Sequence, residues 1–79
     1  MRVPRDVDAD ILIKLLMKYG YHVVRQTGSH IRLINRTEKT EHSITIPNHK
    51  PIKIGTLQNI AKDICDFNGI DIDKFYRQL

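Results

Sequence analysis

The hydrophobic pattern of this chain changes its period at Gly20, and that change constrains the fold more than any other feature. Before it, in "ADILIKLLMKYG", Ile11, Leu12, Leu15, Leu16 and Tyr19 recur at spacings of three to four, which places them on one stripe of a helix. Asp8 stands at the expected N-cap and Gly20 at the expected stop. After Gly20, "YHVVRQT", "HIRLIN" and "HSITIP" are short runs rich in β-branched residues, separated by "GS" and "RTEKTE". Such runs predict a three-stranded antiparallel meander. The helical period returns in "IGTLQNIAKDICDFNG", with Leu57, Ile60, Ala61, Ile64 and Phe67 on one side and Gln58, Asn59, Lys62, Asp63 and Asp66 on the other. Its first turn is expected at Lys53 or at Thr56. Asp71 is placed to cap a short C-terminal helix, "IDKFYRQL", whose Ile72, Phe75 and Leu79 either dock or fray.

The expected order is therefore α-β-β-β-α, an α+β class with a possible short C-terminal helix. At 79 residues it forms one compact domain, 1–79, near the length where a single core is marginally sufficient. Two amphipathic helices need an apolar surface, and a small sheet offers one face to both. Strand alternation then puts Ile31 and Leu33 on the covered face and His30 and Arg32 on the open one. In the third strand Ile44 and Ile46 turn inward, while Ser43 and Thr45 turn out. A buried His30 would require Ile31 and Leu33 to face water.

Composition narrows the function classes. Hydrophobic residues at 41% and charged residues at 28% suit a folded globular domain. The longest apolar runs, such as "ILI" at 11–13, are too short to cross a membrane, and "MRVPRD" lacks the apolar stretch of a signal peptide, so a cytoplasmic location with no membrane partner is expected. The single cysteine, Cys65, excludes an intramolecular disulfide and a multi-cysteine metal site, and its spacing to Ile60, Ile64 and Phe67 makes it a core residue. Residues 21 to 56 hold six Lys/Arg against two Glu and so carry the whole surplus of the +4 net charge. That basic middle is either a solvated face or a surface for a polyanion such as nucleic acid.

The stretch "RQTGSHIRL" concentrates the chemistry. An exposed imidazole such as that of His30 both takes and gives a proton near neutral pH. RNA carries its own nucleophile: once its 2′-hydroxyl is deprotonated, the oxygen attacks the adjacent phosphorus. Positive groups must then hold the developing charge, and an acid must protonate the leaving 5′-oxygen. Arg25, Arg32, Lys50 and Lys53 are available for RNA binding and charge stabilisation, Arg through its planar fork and Lys as a point charge. His49, in "IPNHKPIKIGTL", is the candidate second proton carrier, beside a helix start whose free N–H groups attract anions. His22 and His42 read as surface histidines. Residues 21–35 and 42–56 contain no Asp or Glu, which disfavours a Mg²⁺ site there, so no metal or other cofactor is expected.

Taken together, the leading helix, "GYHVVRQTGSHIRL" and "ITIPNHKPIKIGTLQNIAKD" closely resemble the HicA toxin family, also called YcfA-like proteins, over essentially the whole chain. The matching residues are Gly20, Tyr21, Arg25, Gln26, the Gly28-Ser29-His30 motif, Pro47, His49, Lys53 and Gly55-Thr56-Leu57. That resemblance implies a double-stranded-RNA-binding-domain-like fold, an mRNA interferase activity that arrests growth, and a HicB antitoxin partner. It also implies that His30 is the catalytic residue, with Gly28 and Ser29 as its supporting turn. The antitoxin is expected to cover His30, and the free toxin to be a monomer. The tail "GIDIDKFYRQL" extends beyond where the family often ends. Two other readings remain: a non-catalytic RNA-binding module, and a basic face that docks an acidic protein.

Overall fold

A computed structural model describes residues 3–79. Six elements follow in order: α1 (Ala9–Lys18), β1 (His22–Thr27), β2 (His30–Arg36), β3 (Glu41–Pro47), α2 (Ile54–Asn68) and α3 (Ile72–Arg77). The strands form an antiparallel sheet in the order β1-β2-β3. This is the α+β arrangement, with one sheet face open, of a double-stranded-RNA-binding-domain-like fold. Among the described residues, no helix is long and apolar enough to cross a membrane.

The inner face of the sheet is built by alternation. Ile31 pairs with Ile46 and Leu33 with Ile44 across β2 and β3, and α1 and α2 pack over them. Leu12, Leu16, Leu33, Ile46, Leu57, Ile64 and Phe75 are fully buried. Each such side chain contributes roughly 1.5–3 kcal/mol on leaving water, so a core this small depends on every one. The stripe of α1 is rotated from the expected one: Ala9, Leu12, Leu15 and Leu16 are buried, and Ile11 faces solvent.

The helix ends differ in detail from expectation. Asp8 occupies the N-cap of α1, but its side chain makes no cap bond. The Ala9 N–H donates to the His49 carbonyl at 3.2 Å and the Ile11 N–H to the Asp10 carboxylate at 3.0 Å, so the β3–α2 loop and a first-turn side chain satisfy free donors of the helix start. Between the two expected starts, α2 begins at Ile54 with Lys53 as N-cap. Phe67, expected on the apolar side of α2, is 38% exposed, and Cys65 lies at depth in the core. At the end of α1, Gly20 has φ 98°, and a Cβ there would sit 3.2 Å from Asn35 Oδ1. Both conformation and space therefore call for glycine.

The C-terminal helix docks. The Asp71 carboxylate accepts from the Lys74 N–H at 3.1 Å, and Phe75 and Tyr76 are buried against the rest of the core. In contrast, β1 is exposed along its whole length.

Candidate functional site

His30 opens β2 directly after a two-residue turn, paired with Thr27 on β1 and Pro47 on β3. Gly28 takes φ 54° there and Ser29 does not take a positive φ. Positive φ at the first central position alone is the pattern of a type II′ turn, whose twist matches the flanking strands. Along β2, His30, Arg32 and Arg36 are exposed and Ile31, Leu33 and Asn35 are buried, so His30 stands on the open face as expected.

Two residues along β2, roughly 7 Å further on, Arg32 pairs with Arg25 on one side and Thr45 on the other. A bulge at Val24 restores the alternation so that Arg25 and Thr27 share the open face with Arg32 and His30. The Arg32 Nη2 donates to Ser43 Oγ at 3.0 Å, which holds its guanidinium over β3. The next open-face positions carry His22, Ile34 and Ser43, and then the Arg36–Glu41 ion pair at 2.7 Å. Glu41 belongs to β3 and is paired locally with Arg36; among the described residues, Arg25 and Arg32 have no carboxylate at ion-pair distance.

The loop after β3 is tied to the turn before β2. The Asn48 N–H donates to the Ser29 carbonyl at 2.7 Å, and the His49 N–H to the Pro47 carbonyl at 2.9 Å. A third bond, Ile52 N–H to the Val7 carbonyl at 2.8 Å, fixes the far side of the loop. The backbone carrying His49 is thus held beside the Gly28-Ser29-His30 turn, and Lys50 and Lys53 follow on the exposed approach to α2. No acidic residue lies in the first turn of α2. Alternation along β3 places Ser43 outward, as found; sequence reasoning did not single out Thr27, whose face depends on the bulge at Val24, or Asn48, whose backbone bond nothing local marks.

His42, expected at the surface, lies instead on the inner face of β3, with its side chain 13% exposed. Its ring stacks on Phe67 with centroids 4.5 Å apart. Nδ1 lies 2.6 Å from the Tyr21 hydroxyl and Nε2 3.2 Å from Asp63 Oδ1. The Asn68 amide donates to the same Tyr21 hydroxyl at 3.0 Å. Burial raises the Tyr21 phenol above its ordinary 10.0, and the Asp63 charge adds to the rise against the hydrogen bonds from the asparagines. This cluster fastens the sheet to α2 and stands on the opposite face from His30.

A cleft of about 310 Å³ between α2 and α3 is lined by Val3, Gln58, Asn59, Lys62, Ile72 and Tyr76, and includes none of the expected site residues. Among the described residues, no cluster of three His, Cys, Asp or Glu side chains is arranged to hold a metal ion.

No curated protein and no solved structure matches the chain. A family model described as "HicA toxin of bacterial toxin-antitoxin" matches residues 9–64, from the start of α1 to the buried stripe of α2. That span includes the turn, the loop and every open-face residue described above, and the chain belongs to the HicA toxin family of bacterial toxin-antitoxin systems.

Proposed function

We propose that this toxin is a cytoplasmic endoribonuclease that cleaves mRNA through His30 and thereby arrests growth. The observation that carries the reading is the placement of an exposed imidazole on an open sheet face beside Arg25 and Arg32, with the His49 loop tied to the same turn. His30 takes the proton of the substrate's 2′-hydroxyl, and that oxygen bonds to the adjacent phosphorus. The phosphorus–5′-oxygen bond breaks, and an acid, with His49 as the candidate, supplies the proton to the leaving oxygen. Arg25 and Arg32 hold the non-bridging oxygens as charge develops, and Lys50 and Lys53 hold phosphates further along the strand. The products are a 2′,3′-cyclic phosphate and a 5′-hydroxyl.

No metal is needed for this chemistry, and none of the proposed site segments offers a carboxylate to bind one. A HicB-like antitoxin that covers His30 accounts for restraint of the activity in the cell, and the free toxin is read as a monomer.

A second reading, a non-catalytic RNA-binding module, draws support from the imidazole of His30, which has no hydrogen-bond partner fixing its orientation among the described residues. Incubation of defined RNA with the wild type and His30→Ala separates the two. Cleavage by the wild type that is lost in His30→Ala, with RNA affinity retained, supports the catalytic role. Binding by both without cleavage by either leaves the module.

A further inference from the structure

The two edges of the sheet are finished differently. β3 has α1 and α2 packed on its inner face, begins at Glu41 and ends at Pro47. β1 has neither cover nor proline, and all six of its residues are exposed. Its helix-side position Val23 is 46% exposed and Val24, at the bulge, 47%. Only the bulge and one arginine interrupt a row of outward backbone N–H and C=O groups, and such an edge is a template for another strand.

From this we infer that β1 is the docking edge for an extended segment of a protein partner, which adds to the sheet as a fourth strand and alternates apolar with acidic residues. The alternation follows from what each face of β1 presents. On the helix side an incoming side chain meets Val23, an uncovered apolar surface, with the exposed Gln26 further along. On the open side it meets Arg25, with Arg32 next to it and no Asp or Glu between residues 21 and 35. Main-chain bonds supply affinity in such additions, and the alternating side chains supply selection.

The same charges argue against a second copy of the chain. Symmetric pairing of two β1 strands over their six residues sets the two Arg25 side chains within one residue of each other, with no carboxylate on either hairpin. A toxin of a toxin-antitoxin system has a protein partner, and an acidic strand here would neutralise Arg25 beside His30. That consequence for activity rests on the RNA-cleavage reading; the strand addition does not.

The probe is an acetylated, amidated hexapeptide of alternating Val and Glu, titrated into the full-length ¹⁵N-labelled chain and compared with its Val-Lys counterpart. The expected result is a saturable shift and slowed amide exchange confined to residues 22–27, with Kd below about 1 mM. The Lys peptide and the Val23→Lys variant should each weaken binding at least tenfold, with the variant's melting temperature unchanged. Four outcomes overturn the inference: no binding at 1 mM, equal binding of the Lys peptide, perturbation centred on α2, α3 or β3, or concentration-dependent self-association that protects β1 without peptide. RNA cleavage measured without peptide tests the catalytic reading separately, since its absence leaves the pairing result intact.

Discussion

The hydroxyl of Tyr21 and the Nδ1 of His42 lie 2.6 Å apart on the covered face of the sheet, while His30 stands on the other. Tyr21 follows the end of α1, His42 sits on β3, and Asn68 on α2 donates to the same hydroxyl, so one phenol joins three elements. Tyr21→Phe leaves the half-buried His42 Nδ1 without a partner and the Asn68 amide nitrogen with only its bond to the Ile64 carbonyl, and we expect a loss of about 1–3 kcal/mol. Urea denaturation should show it, with RNA binding by the folded variant unchanged.

The same phenol makes stability depend on pH at the alkaline end. Burial raises Tyr21 above 10.0, and burial likewise raises Tyr76. A raised value means that the folded state holds the proton more tightly. This contribution is complete below pH 10 and is lost as pH rises through the elevated folded value. Melting temperature followed from pH 8 upward should fall more steeply in the wild type than in Tyr21→Phe, measured relative to each protein's own value at pH 8.

Phe75 lies outside the span matched by the family and is nonetheless fully buried. Phe75→Ala should cost about 3–5 kcal/mol, a large fraction of the roughly 5–15 kcal/mol typical of a domain. Thermal unfolding followed by circular dichroism checks this. A loss under about 1 kcal/mol would show that α3 is dispensable to the core.

Lys50 and Lys53 are exposed on the loop and at the N-cap of α2. If RNA runs from His30 across this loop, Lys50→Ala and Lys53→Ala should each weaken binding of all sequences alike and reduce the salt slope by about one. Titrations at several salt concentrations measure it, and an unchanged slope in both places the RNA elsewhere.

The proposed nucleophile belongs to the substrate. RNA carrying a single 2′-deoxy nucleotide at the scissile position should bind and resist cutting, and cleavage of ordinary RNA should persist in EDTA. Cutting of the deoxy substrate, or a requirement for added Mg²⁺, would overturn attack by the 2′-hydroxyl and point to an activated water as the nucleophile.

The orientation of His30 and Arg32 was legible because strand alternation leaves one choice once Ile31 and Leu33 face the helices. The docking of Phe75 is not legible in the sequence, since a short terminal helix carries the same apolar spacing whether it packs or frays. His42 was misplaced because a histidine suits either face. Its position follows from partners 21 residues away in each direction, Tyr21 and Asp63, which no local pattern couples. The tie from Asn48 to Ser29 is a backbone bond and leaves no side-chain signature at all.

The sheet's open face takes little part in the buried core, which is drawn from the other face and the helices. Changes at its most exposed positions therefore alter what the protein touches with little effect on whether it folds. Over evolutionary time such a surface can drift, specialise or fall silent while the scaffold beneath it stays under separate selection, so a lineage can retain a well-folded member whose chemistry has already been lost.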